Sequence, residues 1–525
     1  MKAGRRVPVT VLSVAIGVAA AAAAVPASSA HAPQHVLQGH AGLARAYDFI
    51  LDARFDQVDA ELRRACGPAP PEACNVLEAA ALWWRLQLDP ENRSRDPAFT
   101  ASVERAIRTT QAWTDRAPEE PEAWFYLGGA YGARVQHRVL RGQTLAAARD
   151  GKQIKQALER AVDLEPSLED AYFGLGMYKY YADVAPTAAR ILRFLLLLPG
   201  GDREEGLAEM RRARAHGRLL QGEADYQLHI IYLWYEQRPD LALELLQGLQ
   251  ARYPGNPLFP MQIAHVLEVY EHDLTASLNT WRTLLAAAEE GRINNAAIAE
   301  VYARLGAARM LDAIHQTDRA REHLEAIIAR APREPYSTLA LAYLRLGEAH
   351  DRLGARPQAV AAYRSAIAAV SAPDPHDVRG QASARLRRAP DARIAEAFRL
   401  SLEGWRRFEQ NDLPGAQAAL ARAVSLAPRE PVARYRLGRV FQARRADVEA
   451  LTEFEQAIRE AETCPAPILG NAHLEAGRLH ERLGDHDAAL SAYTVASTLF
   501  GAASDTRAAA RRALVRLTGE QEMRR

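Results

Sequence analysis

The chain has 525 residues, 48% hydrophobic and 25% charged, with Gly and Pro spaced as punctuation, which excludes a disordered chain and leaves several domains or one long repeat array. Four lysines stand against 62 arginines, yet 65 acidic residues hold the formal charge to +1. Removing the first 32 residues, which carry three basic side chains and no acid, gives −2, so nucleic acid is a poor default partner.

Residues 1–32 read as a secretory signal peptide. Lys2, Arg5 and Arg6 form a basic start, Val9 to Val25 is almost wholly apolar, and Ala30-His31-Ala32 offers a small–x–small cleavage site before Pro33. An uncleaved anchor is the rival reading, but the stretch is Ala-rich and barely long enough to span a bilayer. No Cys sits near the site, so a lipoprotein anchor is not indicated. The expected location is periplasmic or secreted, with no transmembrane span in the mature chain.

Residues 33–118 form an N-terminal helical segment. A first helix pair is expected over about 41–66, with Tyr47, Ile50, Val58 and Leu62 among its core residues, then helices over 75–87, carrying Trp83 and Trp84, and over 98–116. Cys66 and Cys74 flank a short Pro-rich corner and are either bridged or two separate buried thiols; the stiff connection favours the bridge. Cys464 is left over.

Residues 119–334 repeat less regularly. Trp124, Leu127, Gly128 and Tyr131 open a helix pair that ends at Ala161, 33 residues after Gly128. Residues 178–206 are the least regular part. Their run Phe194–Leu198 admits three roles: a buried helix, a partner surface or a membrane-contacting segment.

Over 335–499 one pattern recurs: Gly, then Ala twelve residues on, an aromatic or Leu sixteen on, and Ala nineteen on. It reads Gly347, Ala359, Tyr363, Ala366; Gly404, Ala416, Leu420, Ala423; Gly438, Ala450, Phe454, Ala457; and Gly477, Ala489, Tyr493, Ala496. Gly404 to Gly438 is 34 residues, the period of a helix–turn–helix solenoid. Gly128 to Ala161 exceeds the corresponding 19 by 14, which predicts two lengthened helices. Residues 371–390 read as an inserted loop with a short helix, and 500–525 as a capping helix and tail.

These positions resemble the tetratricopeptide superfamily, over about 120–499 with gaps. Trp124-x₂-Leu127-Gly128-x₂-Tyr131 matches its signature directly. The resemblance implies an all-α solenoid, a right-handed superhelix of antiparallel helix pairs, acting as a scaffold or adaptor. Gly201-Asp202-Arg203 with Gly206-Leu207 resembles a stretch of secreted or envelope tetratricopeptide proteins of Gram-negative bacteria. It also weakly resembles a eukaryotic tetratricopeptide family of the outer mitochondrial membrane and lipid droplets.

Two surfaces are candidates for binding. Counting one, four and five residues from each glycine gives groove positions, among them Trp405, Phe408, Arg439, Gln442, Arg478, Glu481 and Arg482. The arginines suit a carboxylate-bearing peptide and the aromatics an apolar anchor; the bland alternative is that Arg478, Glu481 and Arg482 pair among themselves. The second is an aromatic surface of Tyr178, Tyr181, Trp234 and Tyr235, suited to protein or glycan, though aromatics at these spacings more often belong to the core. No phosphate loop, nucleophile elbow or zinc-protease motif occurs, and His315/His323 and His480/His486 are not spaced for a shared metal. The reading is a non-enzymatic protein- or peptide-binding scaffold of the bacterial cell envelope, without cofactor or metal. The alternative is an accessory subunit that binds a glycan or lipid-linked intermediate in envelope polysaccharide biogenesis.

Overall fold

The computed structural model describes residues 36–184 and 200–524, so the expected signal peptide and the Phe194–Leu198 run lie outside the described residues. Among the described residues the chain is all-α, with 24 α-helices. The N-terminal segment holds α1 (His40–Leu51), α2 (Phe55–Ala65), α3 (Pro71–Gln87) and α4 (Asp96–Arg116). Antiparallel pairs follow: α5 (Pro121–Leu140) with α6 (Thr144–Leu164), α7 (Ala171–Val184) with α8 (Arg203–His216), α9 (Gln221–Trp234) with α10 (Pro239–Arg252), and α11 (Leu258–Val269) with α12 (Leu274–Glu289). Next come α13 (Ala296–Ala313) with α14 (Thr317–Arg330) and α15 (Thr338–Arg352) with α16 (Arg356–Ala369). The insert contributes α17 (Val378–Arg387). The stack resumes with α18 (Ala392–Glu409) and α19 (Leu413–Leu426), α20 (Pro431–Ala443) and α21 (Asp447–Arg459), α22 (Ala466–Arg482) and α23 (His486–Thr498), and closes with α24 (Ser504–Arg524).

The repeating residues do what small and large side chains do at a close helix crossing. A Cβ placed on Gly347, Gly438 or Gly477 would lie 2.5–2.7 Å from the ring of Tyr363, Phe454 or Tyr493, and one on Gly404 would meet Leu420 at 2.5 Å. The alanines twelve and nineteen residues on are fully buried in all four copies. Each large side chain fills the space its glycine leaves open, and the alanines let the neighbouring helices approach. The 14-residue excess after Gly128 resides in α5 and α6, of 20 and 21 residues, and Leu158 takes the place of the ring, 2.6 Å from a Cβ on Gly128.

Gly201-Asp202-Arg203 has a structural role. Asp202 caps α8 by accepting from the Glu205 amide at 2.8 Å, and Arg203 Nε donates to Glu236 at 2.8 Å. Tyr180 donates to the same carboxylate at 2.5 Å. Gly206 meets Gly176 backbone to backbone: a Cβ on either would stand 2.6–2.7 Å from the other's carbonyl oxygen. Asn92-Arg-Ser94 forms a closed turn, Ser94 donating from both N–H and hydroxyl to Asn92 Oδ1. Cys66 and Cys74 are disulfide-bonded, with Cα atoms 6.1 Å apart, and Cys464 is free and buried.

Gly206→Val should lower the thermal midpoint through an overpacking cost of about 1–3 kcal/mol, since backbone, not a pliable side chain, opposes the new group. Gly132 has nothing within 4 Å of an added Cβ. Gly132→Ala should therefore leave the midpoint unchanged or raise it, by up to about 1 kcal/mol of stability. Calorimetry on the two variants checks both.

Candidate functional site

The first helices of a helix-pair solenoid line its inner face. Here the N-terminal segment packs against the first turns of two such helices and the loops that precede three. Tyr47 of α1 and Trp84 of α3 donate to Glu223 of α9 at 2.9 and 3.0 Å, and Gln227 donates to the same carboxylate at 3.1 Å. Tyr226 donates to Gln87 at 2.7 Å, and the Trp84 ring packs on Tyr226 and Phe259 at 4.7 and 6.2 Å. Three asparagines grip three consecutive carbonyls of the α1–α2 turn: Asn256 to Leu51, Asn294 to Asp52 and Asn295 to Ala53, at 2.7–2.9 Å. Further on, the Asp89 carboxylate accepts the Tyr336 amide at 2.9 Å, and Arg95 pairs with Glu334 at 2.8 Å.

The C-terminal pairs are also covered in part, by turns of earlier pairs. His315, between α13 and α14, packs its ring on Phe398 at 5.2 Å, and its carbonyl accepts from the buried Arg436 guanidinium at 2.7 Å. Arg436 also donates to Ser401 at 2.8 Å and lies over the Trp405 ring. Burial lowers its pKa to about 10. His272, between α11 and α12, packs on Phe500 at 5.0 Å. His315 is thus a packing residue, and burial depresses its pKa to about 3.

Within the sequence-named groove the structure distributes the residues as follows. Trp405 and Phe408 stack at 5.0 Å, but Phe408 packs down onto the core of Leu420, Leu437 and Val440. Arg439 donates to the Tyr435 hydroxyl at 3.1 Å. Arg478 and Gln442 both donate to Glu475, at 2.7 Å each. Arg482 forms a two-pronged pair with Asp447 at 2.9 and 2.7 Å. Glu481 accepts from Tyr493 at 3.0 Å and from Arg516 at 2.6 and 2.7 Å. Glu481 and Arg482 therefore pair with neighbouring helices and Arg478 with Glu475 on its own helix, and the three do not pair with one another. An incoming carboxylate would compete with Glu475 and Asp447 for these cations.

A local rule explains Glu481. Where the large residue of a repeat is Tyr, an acid stands four residues after the glycine to take its hydroxyl: Asp351 for Tyr363 at 2.9 Å, Glu481 for Tyr493 at 3.0 Å. Where it is Leu420 or Phe454, that place holds Phe408 or Gln442. Burial, then the carboxylate, push both phenols above their ordinary pKa.

The aromatic residues divide. Tyr178 lies by α6, where a Cβ on Gly151 would be 3.7 Å from its ring. Tyr181 joins Tyr235 edge-to-face at 5.5 Å, and both meet the fully buried Tyr180, at 5.6 and 5.9 Å. Trp234 is 63% exposed and Tyr235 46%. Beside them Leu233, Trp234, Gln237, Pro239 and Tyr270 line an open cavity of about 440 Å³. Sequence reasoning missed Tyr270 and Val269, the latter 43% exposed. The signal was present: Trp234-Tyr235-Glu236 and Val269-Tyr270-Glu271 end successive first helices one repeat apart.

Among the described residues no group of three or more His, Cys, Asp or Glu could hold a metal ion, and no helix is long and apolar enough to cross a membrane.

Burial raises the Glu223 pKa above its ordinary value, and no cation faces it among its hydrogen-bond partners. The folded form then binds the proton more tightly than the unfolded form, so this group's share of stability falls as pH rises from the unfolded to the folded pKa and is flat above. Glu223→Gln, which keeps an acceptor, should remove that slope. Glu223→Ala should cost about 1–3 kcal/mol for each donor left without a partner. Thermal melts between mild acid and neutral pH check both.

No family model and no curated protein matches the chain. Among solved structures it is similar to a Rap protein complexed with Competence and Sporulation Factor, over 93% of this chain and 99% of that one, at 12% identity and TM-score 0.33. Yeast Tom70 is similar over 93% and 96%, at 12% identity and TM-score 0.26. A tetratricopeptide repeat protein from Parabacteroides merdae ATCC 43184 is similar over 57% and 98%, at 13% identity and TM-score 0.25. Superpositions this loose transfer no ligand and no binding surface. Its antiparallel helix pairs, each closed by a glycine against a large side chain, make the stack a tetratricopeptide-like α-solenoid.

Proposed function

We propose that the chain is an exported, non-enzymatic scaffold of the bacterial cell envelope that binds a protein partner through the aromatic edge at the ends of α9 and α11. The observation that carries this reading is Trp234, 63% exposed beside the 46% exposed Tyr235 in a chain that buries most of its other aromatic rings. Exposed aromatic side chains on a rigid scaffold are the usual anchors of a contact surface. The N-terminal segment and the turns of earlier pairs already engage the starts of α9 and α11 and Phe398 and Arg436 of the later first helices, which turns attention to this edge. Export is supported by Lys2, Arg5 and Arg6 before the apolar stretch Val9–Val25, and by the Cys66–Cys74 bridge, a bond that persists in oxidising compartments.

One observation favours a second reading. None of the residues lining the cavity is charged, and an indole beside an amide suits a neutral sugar ring of an envelope glycan. In affinity capture from the host's own envelope extract, Trp234→Ala should abolish retention of a specific protein while leaving the melting temperature unchanged. Arg478→Glu with Arg482→Glu should retain it. Retention on envelope polysaccharide, lost in the aromatic variant, would favour the glycan. A mature N-terminus at residue 33, read by mass spectrometry, checks export; an intact Met1 would refute cleavage.

A further inference from the structure

The insert between α16 and α18 is not required to continue the stack, since the glycine contacts on either side, Gly347 with Tyr363 and Gly404 with Leu420, are complete without it. It is nonetheless fixed at both ends. The Asp374 carboxylate accepts the amides of Val378 and Arg379 at 3.0 Å, capping the start of α17. Arg356 donates to the carbonyls of Arg385 and Leu386 at 2.9 and 3.0 Å, capping its end. Tyr336 donates to the Pro373 carbonyl at 2.9 Å.

Along α17, Val378, Ala382 and Leu386 recur every four residues and pack on Ala340, Leu344, Tyr363 and Ala366. That docking fixes which side chains face outward. Arg379, Arg387 and Arg388 are exposed, as is Arg393 at the start of α18, and no ion pair to a carboxylate forms at any of the four among the described residues. The nearby acids are largely engaged. Asp374 caps α17, Asp391 caps α18 at the Arg393 amide at 2.8 Å, and Glu348 pairs with Arg345 and Arg385; Asp377 remains. Ile394, next to Arg393, is 61% exposed.

We propose that this ridge docks the chain onto an anionic lipid surface, with the arginines at the headgroup phosphates and Ile394 at the acyl boundary. Guanidinium forks suit phosphate oxygens. An exposed aliphatic side chain next to an unpaired cation suits a membrane interface better than an acidic protein, which would leave Ile394 unmatched. The rest of the chain is near neutral, so the attraction is local to the insert. The proposal is independent of the aromatic edge.

The test is partition of the full chain between buffer and two vesicle preparations, phosphatidylcholine alone and phosphatidylcholine containing phosphatidylglycerol. The reading is the change in the increment of the second over the first on charge reversal, since Lys2, Arg5 and Arg6 contribute equally to every variant. Each arginine near such a surface contributes about fivefold. Arg387→Glu with Arg388→Glu should therefore cut the increment by at least about tenfold. Arg422→Glu, an exposed arginine on α19, should leave it unchanged, and Ile394→Ser should weaken binding to the anionic vesicles with no change in salt dependence. Melting temperatures of all variants should match the parent. Equal partition into both vesicles, or an increment indifferent to the charge reversal, overturns the proposal. So does capture by a polyglutamate peptide without vesicle binding, which would assign the ridge to an acidic protein.

Discussion

The structure depends on the approach of a helix backbone to a large side chain where no Cβ intervenes. At Gly347, Gly404, Gly438 and Gly477 the ring or Leu of the second helix sits where a methyl group would otherwise be. That contact sets the separation of the two helices, and fully buried alanines extend it along the crossing. It also governs polar chemistry. A tyrosine in this place carries its hydroxyl into the interior, and a buried hydroxyl needs a partner. Asp351 and Glu481 supply one from the adjacent helix. Two acids that might have faced a ligand are thereby committed to the scaffold.

The same economy of polar groups operates between distant parts of the chain. Carboxylates and amides join the N-terminal segment to the solenoid: Asp52 to the Gly255 amide, Asp89 to the Tyr336 amide, and three asparagines to the carbonyls of residues 51–53. These are mostly side-chain-to-backbone bonds, which satisfy loop groups that the helices themselves leave unpaired. The starts of α9 and α11 and the loops before α11, α13 and α15 are therefore engaged by the chain's own residues. The unsatisfied surface is displaced outward, to aromatic rings at the ends of first helices and to arginines on the insert.

The pairing of helices was legible in the sequence because its signal is periodic. A glycine, two alanines and a ring at fixed spacing report a contact within one repeat, and the lengthened α5–α6 hairpin followed from a surplus of 14 residues. The long-range packing was not legible. Nothing in Tyr47 or Trp84 says that both will meet Glu223, 176 and 139 residues away. Groove positions counted from each glycine assume an open inner face, and Arg436, which lies beside those positions, is buried under the His315 turn. The row of Trp234, Tyr235, Val269 and Tyr270 could have been found by aligning helix ends instead of helix centres.

The tie between Asp89 and the Tyr336 amide spans 247 residues of chain. A solenoid normally gathers its stability from nearest neighbours and can fold from any point along its length. Here the segment made first must wait for partners made much later, and in the meantime Trp84 lacks its cover of Tyr226 and Phe259. Opening one repeat in the middle should loosen the early helices as well, so the array should come apart as one cooperative body and not link by link.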